Sequence, residues 1–333
     1  MKQPKVSIVI PVYNVEEYIF NCLQSVERQT YKGLIECIVV DDCGYDNSIT
    51  IAEQFIAKYK GAIEFKIAHR KQNGGLSAAR NTGTKEATGD YVYYLDSDDY
   101  ISDDCIEKLV EPLCENYYDI VIGDYSVVGN DWGIPKLYVG EGEYSSNILS
   151  LYCAGKIYMM AWNKLVRKDF IEKNNLSFKE GIVHEDDHFS FRAFSFAGKI
   201  YVVHHTTYYY LVREGGIMNL NKYTQRNRDS YAETLMTIAE YVGQNHEAPQ
   251  IVSEWLNNRY LKLVVQISQE QHISFYEIYK RMRKIYSYPV IALFRNKQIK
   301  KGKFMMRFHY ALSIPFGYVY LWGVSKWLGY DKI

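Results

Sequence analysis

Tyr91-Val92-Tyr93-Tyr94-Leu95-Asp96-Ser97-Asp98-Asp99 is an apolar, aromatic run that stops in three carboxylates. A buried strand with this ending carries negative charge to the edge of a sheet, where oxygen ligands hold a hard cation. Such a place suits a metal-bound phosphate. The plainer alternative is a surface turn, with Asp99 or Ser102 capping the helix that follows. Outward from this stretch, Val6-Ser7-Ile8-Val9-Ile10 is a β-branched run ended by Pro11, and Ile38-Val39-Val40-Asp41-Asp42 is another apolar run ending in acids. Candidate strands at 6–10, 35–40, 63–68, 91–95 and 119–122 alternate with helical patterns at about 15–29, 46–60, 76–87 and 103–117. The alternation predicts an α/β, Rossmann-like fold, a mostly parallel sheet flanked by helices. Ligands of such sheets bind beyond the carboxyl ends of the strands, where Asn14, Asp42 and Asp98 fall.

Residues 124–217 are less regular. A helix is expected near 145–155 and another at 185–197, with Trp162 to Val166 as a short bridging segment and two tyrosine-rich strands at 199–203 and 206–213. Beyond about 222 the pattern turns helical, near 222–244, 248–270 and 274–285. Two regions are therefore expected: 1–221, with 1–125 holding the donor and 126–221 the acceptor and base, and a helical C-terminal extension over 222–333.

With 47% hydrophobic and 23% charged residues, the 333-residue chain reads as folded and globular. Its 32 tyrosines are mostly half-buried packing. The six cysteines contain no C-x-x-C pair, which argues against a zinc ribbon and fits a reducing compartment. The sequence enters a strand almost at once, without a charged-then-apolar leader, so no secretory signal is expected. No apolar run reaches the length of a spanning helix. Net charge is zero but uneven: residues 222–333 hold 17 Lys and Arg against 8 Asp and Glu, leaving 22 against 31 in 1–221.

Taken together, Pro11-Val12-Tyr13-Asn14, Asp41-Asp42, Asn73-Gly74-Gly75 with Arg80-Asn81, Asp96-Ser97-Asp98 and Glu185-Asp186, in this order, resemble a family 2 glycosyltransferase with the GT-A fold. The match covers roughly residues 4–217. The resemblance implies an inverting, metal-dependent transfer of a sugar from a nucleotide-sugar, a UDP-sugar above all, to a hydroxyl of a glycan or lipid-linked acceptor in bacterial cell-surface polysaccharide synthesis. Asp98, with Asp96, would ligate Mn2+ or Mg2+, and Asp99 is a further candidate ligand. Asp96 would lie near the donor ribose or phosphate. Pro11, Tyr13 and Asn14 would line the nucleotide pocket, and Asp42 would accept from the uracil imide. The common D-D-G-S-x-D loop is here Asp41-Asp42-Cys43-Gly44-Tyr45-Asp46, with the glycine displaced by one. Asn73 and Gly74 would approach the donor through the backbone. Arg80 either bonds phosphate or holds the carboxylates of the metal site. Asp186 would be the general base beside Glu185, with Asp187 as the alternate register. Trp162 either stacks on the acceptor sugar or is a core tryptophan. Arg213 stands where a basic residue often closes on the diphosphate, although Tyr210 to Gly216 lacks the first arginine and the serine common there. His204 and His205 read as structural histidines.

Two other functions compete. A nucleotidyltransferase shares the parallel sheet and carboxylate-bound metal, but no basic glycine-rich loop follows the first strand. A non-catalytic nucleotide- or carbohydrate-binding relative is opposed by the intact acid pairs. The segment 278–330 carries 11 cations and no acid among many aromatic residues. It is expected to meet an anionic membrane surface, placing a cytoplasmic enzyme at the inner face of the cell membrane. The alternative is a subdomain that packs on the catalytic domain or forms a homodimer. Nucleic acid is not an expected partner.

Overall fold

The computed structural model describes residues 3–131 and 133–212, together with 230–235, 237–238, 251–252, 255–256, 259 and 319. By its internal packing the chain divides into two units, Met1–Lys222 and Tyr223–Ile333. Arg213, and the basic segment 278–330 apart from Val319, lie outside the described residues.

The first half alternates as the sequence predicts: β1 (Val6–Val12), α1 (Ile19–Glu27), β2 (Ile35–Asp41), α2 (Ser48–Lys58), β3 (Glu64–His69), α3 (Leu76–Glu86) and β4 (Tyr91–Tyr94). All seven residues of β1 are buried, as expected of a central strand covered on both faces. In α1, Ile19, Cys22, Leu23 and Val26 form the apolar stripe that faces the core. The parallel strands run in the order β3-β2-β1-β4. The chain thus adds two strands on one side of β1 and then crosses to the other, opening a crevice between the carboxyl ends of β1 and β4. The last β1–β4 partners are Val9 and Tyr94. Pro11 lies past them, where its missing N–H interrupts no ladder on the β4 side.

The second half comprises β5 (Tyr100–Ile101), α4 (Cys105–Val110), β6 (Ile120–Val128), β7 (Gly142–Tyr144), α5 (Ile148–Cys153), β8 (Lys164–Arg167), α6 (Lys168–Lys173), α7 (Glu185–Phe196) and β9 (Ile200–Leu211). The sheet continues β4-β8-β6-β9-β5, with β7 also on β9. Pairing is mixed here: β8 runs antiparallel to both β4 and β6, while β9 is parallel to β6.

Three expectations are revised. The bridging segment at 162–166 contains a central strand, β8. The two tyrosine-rich strands are one strand of 12 residues, interrupted by register shifts opposite Gly123–Tyr125 that absorb His204 and His205. The helix expected to 117 stops at Val110 and tightens into a 3-10 turn at Glu111–Cys114, because Pro112 cannot continue an α-helix.

Glu36 anchors the amino-terminal end of the sheet, away from the crevice. It is 1% exposed and accepts from the Ser7 hydroxyl and from the Thr88 and Gly89 backbone, with Lys5 and Lys66 at 3.3 and 3.5 Å. Burial pushes this carboxyl up, but the Ser7 and Thr88 hydrogen bonds and the Lys66 charge outweigh it and hold the pKa at about 2. A depressed pKa contributes stability above the ordinary value of 4.5 and loses it as pH falls towards 2. Glu36→Gln is expected to destabilise the fold by about 3 kcal/mol at pH 7. In urea titrations the gap from the parent should shrink as pH is lowered from 5 to 3; a pH-independent gap would contradict this account.

The described residues of the second unit are helical, with Leu235, Ile238 and Val252 buried. Arg259 donates to the Tyr231 hydroxyl at 2.6 Å and lies 4.6 Å from the Trp255 ring centre. Among the described residues, no helix is long and apolar enough to cross a membrane.

Candidate active site

Small residues let α3 lie close on the sheet. A Cβ on Gly83 would sit 2.2 Å from Val9 Cγ1. This approach carries Arg80 beneath the crevice, where it is 1% exposed. Its Nη2 donates to Asp96 Oδ1 at 2.7 Å, and its Nη1 donates to Glu185 Oε1 at 2.9 Å and Asp186 Oδ1 at 2.7 Å. One guanidinium therefore joins the acid at the end of β4 to the acids that open α7. Of the two readings of Arg80, the geometry gives the carboxylate clamp. Burial lowers its pKa, but the charges of Asp96, Asp186 and Glu185 overcome this and raise it well above the ordinary value.

The α7 acids diverge as a helix requires. Glu185 and Asp186 turn to Arg80, whereas Asp187 is 1% exposed and accepts from the Tyr152 hydroxyl at 2.7 Å. Burial, followed by the neighbouring Asp186 charge, raises Glu185 to about 7 against the pull of Arg80. Burial likewise raises Asp186, with Arg80 opposing.

At the end of β4, Asp96 and Asp98 are partly exposed, while Asp99 is buried. Asp99 accepts from the Tyr208 hydroxyl at 2.6 Å and from Leu211 N–H at 2.7 Å, which gives it a structural part in tying β9 to the crevice. Burial and then the Asp98 and Asp96 charges push Asp99 well up. Among the described residues no cluster of three metal-ligating side chains forms a full cage. Asp96 and Asp98 are of the ligand type that would fit Mg2+ or Mn2+, which bind through one or two carboxylates plus substrate phosphates.

Asp42 is 2% exposed at the end of β2. Its Oδ1 accepts from Arg70 and Gly74 N–H, and its Oδ2 from Asn73 Nδ2 and Gly75 N–H, all within 3.0 Å. Four donors saturate a carboxylate. Asp42 thus latches the 73–75 loop to β2, and Gly75, at φ 81, turns that loop into α3. The displaced glycine has a local explanation. Cys43 itself takes the left-handed conformation at φ 58, held by its N–H to Asp41 Oδ1 and its thiol to the Arg70 carbonyl. Asn14, also left-handed, accepts the Tyr45 N–H, and the Tyr13 and Tyr45 rings meet edge to face at the exposed mouth.

Trp162 is 2% exposed, stacked on Tyr208 at 4.4 Å and on Tyr210 at 5.7 Å. It is the core tryptophan of the two alternatives, and its packing leaves no exposed face for a sugar. The histidines are structural: His204 pairs with Asp124 and the Val139 carbonyl, and His205 with Asp104. Sequence reasoning passed over Tyr208. Alternation along the tyrosine-rich strand, which puts Tyr208 and Tyr210 on one face, is the signal that finds it.

A crevice at a strand-order reversal, with carboxylates on both sides joined by one arginine, is the arrangement that the resemblance to GT-A glycosyltransferases implies. Residues 7–197 match the model of Glycosyl transferase family 2, and the chain belongs to that family. It is a glycosyltransferase. EpsH of Bacillus subtilis is 33% identical over 263 residues, 76% of this chain and 74% of its own. TarS of Staphylococcus aureus, a poly(ribitol-phosphate) β-N-acetylglucosaminyltransferase, is 29% identical over 77% of this chain and 44% of its own. The crystal structure of TarS residues 1–349 with UDP-GlcNAc superposes with a TM-score of 0.77 at 23% identity, covering 98% of this chain and 92% of that one.

Proposed function

We propose that this glycosyltransferase moves a hexosyl or N-acetylhexosaminyl group from a UDP-sugar to a hydroxyl of a glycan or lipid-linked acceptor, with inversion, in cell-surface polysaccharide synthesis. The observation that carries this is the Arg80 clamp, which sets Asp96 of the donor side and Asp186 of the base side in one site. The relatives' names support the donor class. Asp186 takes the proton of the acceptor hydroxyl as its oxygen bonds the anomeric carbon, and the bond to UDP breaks on the opposite face. Glu185 fills the second place on Arg80. Pro11, Tyr13 and Asn14 form the nucleotide wall, and Asp42 holds the Asn73–Gly74 loop towards the donor. Asp98 and Asp96 would hold Mn2+ or Mg2+, which when bound neutralises charge on the departing diphosphate. Arg213 remains a candidate donor contact.

Chelation should abolish transfer, and Mn2+ or Mg2+ should restore it. Asp98→Asn should lose activity with its fold intact, since an amide is a poorer ligand for a hard ion. Full turnover in EDTA would refute the metal assignment. The same reading places the enzyme at the inner face of the cell membrane through 278–330. Flotation with anionic vesicles should weaken in salt and vanish on truncation near residue 272; a full chain that ignores such vesicles at low salt would contradict it.

A further inference from the structure

Tyr208 is fully buried in β9 and has no part in the transfer described above. Its hydroxyl donates to Asp99 Oδ2 at 2.6 Å and accepts the Asp96 backbone N–H at 3.3 Å. Asp99 N–H in turn donates to the Asp96 carbonyl at 3.0 Å, so a closed circuit of hydrogen bonds runs round the turn that carries Asp96 and Asp98. Strand register brings the ring to this place. β6 pairs Asp124 with Thr206 and Tyr125 with Tyr208, so Thr207 is skipped, and a skipped residue changes the face that the next side chain occupies. Trp162, stacked on the Tyr208 ring at 4.4 Å with the planes 7° apart, backs it there.

We propose that Tyr208 is a positioning residue for the turn at 96–99, its hydroxyl setting where Asp96 and Asp98 stand. The proposal rests on the reading that these two carboxylates hold the metal. An O–H given to a carboxylate is a strong bond and leaves its oxygen a better acceptor, so the two halves of the link reinforce each other. Asp96 is fixed from three sides: its carboxylate by Arg80 of α3, its carbonyl by the Cys22 thiol of α1, and its N–H by Tyr208 of β9. Asp98 lies inside the closed turn, so its backbone is set by the same bonds. Mg2+ demands near-ideal octahedral geometry, and a ligand displaced slightly binds it worse. Phenylalanine at 208 would keep the stack on Trp162 and delete only the oxygen. Asp99 would keep the Leu211 N–H, while the Asp96 N–H would lose the hydroxyl that accepts it.

The test follows UDP binding by calorimetry in Mn2+ and in EDTA, the Mn2+ dependence of transfer, and the thermal midpoint, for Tyr208→Phe, Tyr158→Phe and Asp98→Asn. Tyr208→Phe is expected to weaken Mn2+-dependent UDP binding about 10–100-fold, the usual cost of losing a group that orients a ligand. Its UDP affinity in EDTA should equal the parent's, since Pro11, Tyr13 and Asn14 are untouched. Saturating Mn2+ should bring its kcat back near the parental value, because Asp186 keeps its place on Arg80. Tyr158→Phe removes a buried hydroxyl from the same aromatic stack, one that donates to the Gly123 and Asn163 carbonyls. It should lower the midpoint and leave the Mn2+ dependence unchanged. Parental Mn2+ dependence in Tyr208→Phe, a kcat that Mn2+ does not restore, or equal metal effects in the two phenylalanine variants would overturn the proposal. A Tyr208→Phe chain that does not fold makes the hydroxyl purely structural and overturns it too. Asp98→Asn separates the two claims. If it abolishes the gain in UDP binding from Mn2+ while Tyr208→Phe is normal, the positioning claim is wrong and the metal reading stands. If it leaves that gain intact, the metal reading falls and takes the proposal with it.

Discussion

Asp186→Asn is expected to cut sugar transfer by about 10²–10⁴-fold, the usual cost of removing a positioned base. UDP binding should stay near its parental value. The substitution keeps size and an oxygen that can still accept from Arg80, so the fold should persist. Asp187→Asn is the matched comparison. Asp187 faces inward to Tyr152, and an amide oxygen still accepts that hydroxyl, so transfer should survive. Because burial raises Asp186, activity should fail on the acid side at a higher pH than an ordinary aspartate would give. An inactive Asp187→Asn beside an active Asp186→Asn would mean that the register is wrong. Activity in both would reduce the acids to a helix start.

Arg80→Met should have the largest effect on the fold itself. It leaves Asp96, Glu185 and Asp186 facing one another with no cation between them. Removing one partner from a buried ion cluster costs about 3–5 kcal/mol. The sign of its pH dependence follows from the carboxylates. Burial already raises Glu185 and Asp186, and without Arg80 the folded pKa values of these two rise further above the unfolded ones. The penalty is then small where they are protonated in both states and grows as pH rises through the unfolded values towards the folded ones. Urea unfolding at pH 5 and pH 8 should show a wider gap from the parent at pH 8. Arg80→Lys retains the charge but not the fork, and should recover only part of the stability. A gap that is equal at both pH values would mean that the guanidinium is not balancing these acids.

The parallel core was legible because β1 and β2 are buried on both faces and spell it in unbroken β-branched runs. β8 was not, since its four residues include a lysine and an arginine, and no pattern announces that its Lys164 is buried. β9 looked like two strands because a bulge at His204 and His205 breaks the alternation. The acids at 96, 98, 185 and 186 were legible as types in order. Which of three consecutive acids faces the crevice depended on helix phase, and only the packing of Asp187 on Tyr152 fixes it. The role of Asp42 illustrates a further limit: its carboxylate is saturated by donors 28 to 33 residues away, which a local motif does not reveal. Trp162 was ambiguous because a tryptophan offers the same apolar face to a sugar as to a tyrosine.

The central claim is direct displacement from a UDP-sugar by an acceptor oxygen activated at Asp186. Slow hydrolysis of the donor needs no acceptor, so a panel of nucleotide-sugars followed by proton NMR reports both the donor and the anomer released. The account predicts turnover of an α-linked UDP-sugar in Mn2+ or Mg2+ with the β anomer appearing first, and its loss in Asp186→Asn. First appearance of the α anomer, or turnover unaffected by Asp186→Asn, would contradict it.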